Sequence, residues 1–315
     1  MLARQHDDLF ILDRTNPALH AGEHASSVLA AGAKAHIEPL SVNLEIRREK
    51  LHSSSLGRRS RGIGHIGLEL LPAADTGLSA SWGMDIVDGM PRLTAAGRVK
   101  SEIDADGRRS ISLLVTNTYR LPSMTELYYS TPSNIGDPNL QPEYARQAML
   151  TFDAENLSIS LFRRKSENVI DWIRYASADP WQATNIGSVT VGGGGITWST
   201  GGVRGRLRLF GEAMDGESAT ADYQSKYALR YVEMRLGIKS TVDLGAGWSL
   251  NCSLEARRRR GWEEAVLLAD AFFSWGESGF ALHIGGTNLF DETYEDVPGA
   301  VAPGRWLTAG VSRSW

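Results

Sequence analysis

The chain has 315 residues, 42% hydrophobic and 22% charged, which is too apolar for a disordered polyelectrolyte and long enough for one large or two ordinary domains. With 33 Lys and Arg against 37 Asp and Glu the net charge is -4, so no bulk positive field recruits nucleic acid. Cys252 is the single cysteine, which excludes intramolecular disulfides and every cysteine-cluster metal site.

From the start, Met1 to Asp8 has no basic region followed by an apolar stretch and a small-residue cleavage site, so it does not read as a secretory signal peptide. A first strand is expected near Asp7 to Leu12. Beyond it, strict alternation recurs: Val42, Leu44 and Ile46 against Asn43, Glu45 and Arg47, then Ile66, Leu68 and Leu70 against His65 and Glu69. The same period of two runs through Leu78 to Ile86, Leu157 to Leu161, Val232 to Ile238 and Trp248 to Ala256. No segment has the roughly 20 apolar residues of a membrane helix; Ala265 to Ala269 is cut by Asp270.

Turn residues separate these runs in two alternating classes. Tight turns are expected at Ile37 to Ser41, Pro72 to Gly77, Asp104 to Gly107, Ala154 to Asn156, Thr200 to Gly202, Leu244 to Gly247 and Gly276 to Gly279. The other set is mostly longer: Asp13 to Glu23, Ser53 to Ser60, Leu121 to Glu143, Ala176 to Ala183, Gly216 to Ser225 and Asp291 to Gly304, with short members near Asp88 to Pro91 and Arg260 to Glu264. The runs number about sixteen strands at roughly 20 residues each, with no helix, so the chain is an all-β meander. One-sided turn lengths favour an antiparallel up-and-down transmembrane β-barrel over a soluble sandwich or propeller. Aromatic placement agrees, because Trp198, Trp248, Trp275 and Trp315 lie beside tight turns or the terminus. Trp172, Trp181, Trp262, Trp306, Tyr128, Tyr129, Tyr175 and Tyr294 lie beside the long loops.

Two segments carry a family resemblance. Tyr119-Arg-Leu-Pro-Ser-Met-Thr-Glu-Leu-Tyr128 is followed by Gly136-Asp-Pro-Asn-Leu-Gln-Pro-Glu143, and later Gly286-Thr-Asn-Leu-Phe-Asp-Glu-Thr-Tyr294 precedes Pro303-Gly-Arg and a terminal aromatic. In order and spacing these resemble the TonB-dependent outer-membrane receptors. The matching positions are Arg120, Pro122, Glu126, Pro138, Leu140, Pro142, Glu143, Asn288, Leu289, Phe290, Tyr294 and Trp315. The resemblance implies a barrel with about 16 of the family's 22 strands and the N-terminal plug and first strands absent. It also implies TonB-energised uptake of a scarce nutrient such as an iron chelate or cobalamin, with residues 1–315 as a partial barrel in the bacterial outer membrane. The TonB complex is a partner only if a plug is supplied; a truncated or passive pore is the alternative. Gly192 to Gly195 departs from the family, which has a single Gly followed by an acidic residue there.

Other motifs read more plainly as scaffolding. Gly62-Ile-Gly-His-Ile-Gly67 fits G-x-G-x-x-G but sits inside an alternating strand, without the helix a dinucleotide site needs. His20 and His24 fall in a loop with Pro17 and Gly22, so no metal site is assigned. No nucleophile elbow or triad stands out, so no catalytic residue, enzyme activity or cofactor is expected. Thirteen of the 33 cations form four clusters: Arg47, Arg48 and Lys50; Arg58, Arg59 and Arg61; Arg163, Arg164 and Lys165; Arg257, Arg258, Arg259 and Arg260. The strand polarity puts all four near the extracellular rim. Those facing outward, above all Arg257 to Arg260, are candidates for the phosphates of outer-membrane lipid and lipopolysaccharide, against the plainer reading of a solvated edge. Tyr128, Tyr129, Trp172 and Trp181 are candidates for holding a small-molecule chelate on flat ring faces, against interface anchoring.

Overall fold

The structure, a computed structural model, describes residues 2–11, 21–54, 56–70, 77–218, 222–277, 279–297 and 300–313, with side chains from Ala25 onward except Ser218 and Val297. Trp315 and His20 lie outside the described residues, as does the side chain of His24.

Among the described residues sixteen strands form the wall. They are β1 (Leu2–Ile11), β2 (Ala21–Ile37), β3 (Leu40–Ser53), β4 (Gly57–Leu70), β5 (Leu78–Val87), β6 (Met90–Glu102), β7 (Arg109–Arg120) and β8 (Glu143–Ala154). They continue as β9 (Leu157–Glu167), β10 (Val189–Gly202), β11 (Gly205–Ser218), β12 (Val232–Gly245), β13 (Trp248–Arg259), β14 (Val266–Glu277), β15 (Phe280–Thr287) and β16 (Trp306–Arg313). Each pairs antiparallel with its neighbours in chain order in one 16-stranded sheet. This is the all-β, up-and-down barrel wall that the alternation predicts. Among the described residues no ladder joins β1 to β16.

Because the wall is one layer thick, its two faces meet different surroundings, which is why the period of two is so regular. One face carries large apolar groups left exposed: Ile46 is 74% exposed, Leu161 58% and Trp82 53%. Trp248 stacks on Phe273 with ring centroids 4.8 Å apart and lies 6.0 Å from Trp275, building an aromatic patch beside the tight turn at 246–247. The other face is polar, and some of its charges are paired with one another. Arg235 lies 2.8 Å from Glu212, and Lys34 lies 3.7 Å from Glu69. His65 Nδ1 is 2.6 Å from Asp85, whose other oxygen accepts from the Tyr119 hydroxyl at 2.5 Å. No helix of the described residues is long and apolar enough to cross a membrane, a statement that does not bear on strands.

Among the described residues most turns fall near the expected places, but Thr200 to Gly202 belongs to β10 and its turn lies at residues 203–204, while the expected connections at Asp13 to Glu23 and Pro72 to Gly77 lie largely outside the described residues. The link after β3 spans only residues 54–56 rather than a long loop, because alternation resumes at Gly57. Asp88 and Gly89 have φ of 49° and 82°, the left-handed pair that a two-residue hairpin turn requires. The glycine run lies within β10, and its middle is needed for close approach. A Cβ on Gly193 would sit 2.5 Å from the Ala213 carbonyl oxygen, and one on Gly194 would sit 2.7 Å from Leu161 Cδ2.

The expectation of no helix is corrected by α1 (Met124–Tyr128). Ser123 accepts from the Glu126 N–H at 3.1 Å while the Glu126 carboxylate accepts from the Ser123 N–H at 2.7 Å. This reciprocal cap satisfies two amide donors that a one-turn helix would leave free.

Candidate functional site

Three of the long loops assemble into a second layer. Their strands pair in the order Gln224–Ser225, Ile170–Arg174, Trp181–Asn185, Asn134–Ile135 and Ser130–Thr131. The loop sheet has its own core of Leu140, Ile170, Trp172, Trp181 and Ala183, against which Leu127 and Tyr129 pack. Alternation explains the pairing only in part. Ile170 to Ile173 are all buried, so this strand is covered on both faces.

The family-like positions fasten this layer to the wall. Arg120 Nη1 donates to both oxygens of Glu126, at 3.0 and 2.9 Å, and Nη2 donates to Glu143 at 3.3 Å and to the Ile170 carbonyl at 3.3 Å. Arg164 reaches the same Glu143 at 3.7 Å, and Arg61 Nη1 donates to the Pro122 carbonyl at 3.0 Å. Arg120 is 45% exposed, so these ion pairs fix geometry more than they add stability; exposed pairs contribute about 0–1 kcal/mol each. Gly136 must lack a side chain, since a Cβ there would lie 2.7 Å from the Glu126 carbonyl oxygen. Leu140 fills the loop core, Pro122 and Pro142 are buried, and Pro138 is exposed. A cavity of about 300 Å³ remains between wall and loops, lined by Glu143, Arg164, Ser166, Ile170 and Tyr227.

Asp171 clasps two loops together. It is 1% exposed and accepts from the Ser225 hydroxyl and from the N–H groups of Trp172 (2.8 Å), Tyr227 (3.1 Å) and Ala228 (3.1 Å). Burial pushes its carboxyl above the ordinary carboxylate range, while these four donors pull it down. Beside it, burial and the Arg174 charge hold the Lys226 ammonium below its ordinary value, against the opposing pull of Asp171. Lys226 Nζ donates to Asn134 Oδ1 at 3.3 Å and stands 5.4 Å from the Trp181 ring centre, over which Arg174 also lies at 4.3 Å. Tyr175 and Tyr227, 68% and 52% exposed, flank this cationic patch.

A second latch closes the last long loop. Asn288, buried with φ of 48°, donates from Nδ2 to the Glu292 and Pro303 carbonyls at 2.8 and 3.3 Å and accepts from the Glu292 N–H at 3.0 Å. The Leu289 N–H donates to the Ala269 carbonyl at 2.8 Å, whereas Phe290 is exposed. Tyr294 lies 6.1 Å from Trp262 and 5.2 Å from the Arg257 guanidinium. The short ribbon Glu295–Val297 with Ala300–Val301 completes this loop.

The proposed ligand aromatics are thus brought to one layer but in unequal roles. Trp172 and Trp181 are 8% and 7% exposed and form its interior, because an indole in a packed loop buries more area than any other side chain. Neither offers an open ring face. Tyr129 packs on the same core, and the Tyr128 ring is covered by Arg59 at 4.0 Å. The arginine run is split by strand alternation. Arg257 and Arg259 turn to the polar face, where they lie 3.7 and 3.1 Å from Asp296. Arg258 is exposed and lies 3.4 Å from Glu233, and Arg260 donates to the Gly216 carbonyl at 2.7 Å. Sequence reasoning missed Asp171 with Ser225, and the shared use of Glu143 by Arg120 and Arg164. The detectable signal was a lone acid inside the apolar run Val169-Ile-Asp-Trp172. Among the described residues no cluster of His, Cys, Asp and Glu could hold a metal ion.

No curated protein sequence matches the chain. Solved structures do: the siderophore receptor PirA of Acinetobacter baumannii (12% identity, TM-score 0.69, 94% of this chain and 55% of that one) and the FrpB iron transporter of Neisseria meningitidis (11%, 0.70, 99% and 59%). The copper transporter OprC is similar too (14% identity, TM-score 0.68, 94% and 57%). The chain spans a little over half the length of these proteins, and at such identities the likeness is one of fold. Residues 109–289, more than half of the chain, match the family described as TonB dependent receptor-like, beta-barrel. By that match the chain belongs to the TonB-dependent receptor β-barrel family.

Proposed function

We propose that residues 1–315 are barrel wall and mouth of an outer-membrane receptor that captures a scarce nutrient as a small chelate for TonB-energised uptake. The observation that carries this is the loop sheet, a packed second layer tied to the polar face of the wall by Arg120, Glu143 and Arg164. Such a packed layer supplies the preorganised surface that a receptor needs over its lumen. PirA is described as a siderophore receptor, FrpB as an iron transporter and OprC as a copper transporter, which makes a metal or its chelate the cargo class to try first. In this reading, ligand contacts come from Tyr175, Tyr227, Arg174 and Lys226 with the edges of Tyr128 and Tyr129, and Trp172 and Trp181 support them from below. The mixed charges of the polar face, some of them paired within the wall, suit a polar plug in the lumen, whichever segment supplies it. No catalytic step is assigned.

The test is binding to the chain refolded in lipid vesicles, with ferric enterobactin, a ferric hydroxamate and cyanocobalamin as probes read by tryptophan fluorescence. One of them is expected to saturate, and the double variant Arg174→Ala, Lys226→Ala to weaken it about tenfold, the loss of a charged hydrogen bond or two. A barrel that inserts, conducts ions steadily and binds none of the three is a passive pore, and the receptor reading fails. Lipid contact has its own test. Ile46→Arg puts a charge on the most exposed mid-strand position of the apolar face and should cost about 2–4 kcal/mol in the folded, inserted fraction.

A further inference from the structure

The cations of the wall sort by face. At the loop end, polar-face cations lie beside acids: Arg47 with Glu45 at 2.7 Å, Arg61 with Glu49 at 2.8 Å, Arg164 with Glu143 at 3.7 Å and Arg259 with Asp296 at 3.1 Å, whereas Arg206, Arg208 and Lys239 near the tight-turn end have no such ion pair among the described residues. On the apolar face, at the loop end of β3 and β4, the sorting reverses. Arg48, Lys50 and Arg58 are exposed and have no acidic partner among the described residues; Arg58 Nε donates to His52 Nδ1 at 3.2 Å.

Small neighbours leave room around them. In register Lys50 stands between Ser27 and Ser60, Arg48 stands beside Gly62, and His52 stands beside Arg58. The result is a cavity of about 630 Å³ lined by Arg48, Lys50, His52, Arg58 and Arg59, with no carboxylate among the described residues that line it. Towards the tight-turn end, the same face continues as an exposed apolar band of Leu44, Ile46, Ile66 and Leu68. An apolar band topped by a cationic shelf, without an acidic partner among the described residues, is the chemical complement of a lipid with an anionic headgroup. The acyl chains lie on the band and the phosphates meet the guanidinium and ammonium groups. Along the strands, the Arg48 level is four residues from the Arg58 level, roughly 13 Å, which is more than one phosphate can bridge.

We propose that this shelf on β3 and β4 binds a membrane lipid whose headgroup carries two phosphates. The proposal rests on the outer-membrane reading given above and moves the rim site away from Arg257 to Arg260, of which Arg257, Arg258 and Arg259 lie beside acids and Arg260 donates to the Gly216 carbonyl. Two phosphates let Arg48 and Arg58 act at once, with Lys50 between them, and the acyl chains distinguish this ligand from a free anion.

The experiment uses the refolded chain in detergent micelles doped with diphosphoryl lipid A, and counts retained lipid by native mass spectrometry. Wild type should retain diphosphoryl lipid A over monophosphoryl lipid A by at least about tenfold, and Arg48→Gln, Lys50→Gln, Arg58→Gln together should abolish the preference, as expected for lost charge-assisted hydrogen bonds. Arg47→Gln, on the polar face, should leave it intact. Equal retention by wild type and triple variant overturns the proposal, as does displacement of the lipid by inorganic phosphate at millimolar concentration, which would mark a free-anion site. If the triple variant does not fold, Arg58→Gln alone and the wild-type preference decide, and a preference below about twofold overturns it. A chain that enters no vesicle refutes the outer-membrane reading itself, whereas an inserted barrel without the lipid refutes this inference alone.

Discussion

Replacing Asp171 by alanine is expected to unfasten the loop sheet, speeding hydrogen exchange at residues 170–174 and 181–185 by about a hundredfold, or about 3 kcal/mol of local stability. The substitution leaves the Ser225 hydroxyl and the N–H groups of Trp172, Tyr227 and Ala228 without their acceptor in a site that excludes water. The wall strands should keep their protection, since their ladders do not depend on this side chain. Unchanged exchange in the loop strands would show that the apolar core alone holds the layer. The same carboxyl gives a pH dependence of definite sign. Burial raises its folded pKa, so the closed loop binds the proton more tightly than the opened loop. The Asp171 contribution is therefore largest below the ordinary carboxylate value of about 3.9 and is lost as pH rises from there through the raised value. After correction for intrinsic exchange rates, protection of residues 170–174 should fall with pH across that window. Asp171→Asn should flatten the profile.

The second large effect is expected at Asn288. Alanine there removes three hydrogen bonds made by the side chain and keeps a Cβ at a φ of 48°, which a non-glycine residue without a polar side chain adopts at a cost. The combined loss is about 3 kcal/mol, felt in the loop of residues 288–305 rather than in the strands it joins. Limited proteolysis reads it: wild type should resist cleavage in this loop while Asn288→Ala is nicked there. Asn288→Gly separates the two causes, because it relieves the backbone without restoring the hydrogen bonds, and it should fall between wild type and alanine. Equal resistance in all three would assign the loop's order to Tyr294, Trp262 and the Asp296 ion pairs instead.

The wall was legible because each strand has two unlike faces and nothing behind it. Leu44 and Ile46 read as one side and Glu45 and Arg47 as the other, and no second sheet blurs the contrast. The mouth was harder for reasons that are also physical. Its sheet pairs Trp181 with Asn134 in parallel, a contact between loops that no local period encodes. An indole in a loop reads equally as a ligand platform, an interface anchor or a core, and Trp172 and Trp181 turned out to be core. The helix α1 was announced by Ser123 and Glu126, but a single turn shows no apolar period. Alternation alone separates Arg258 from Arg257 and Arg259; that Asp296 meets the latter two depends on where the last long loop folds. The family-like positions illustrate the same division. Arg120, Glu126, Glu143 and Asn288 were recognisable by spacing, yet their work is to hold loops on the wall, which only the contacts reveal.

The central claim is that the exposed apolar face of the wall is turned to lipid. The most direct measurement keeps Trp82 as the sole tryptophan, with the other eight of nine replaced by phenylalanine, and refolds the chain into bilayers of brominated lipid. Trp82 is 53% exposed on the apolar face of β5, so bromine should quench it strongly and aqueous acrylamide weakly. A Trp82 quenched by acrylamide and untouched by brominated lipid, in a chain with its full strand content, would contradict the account.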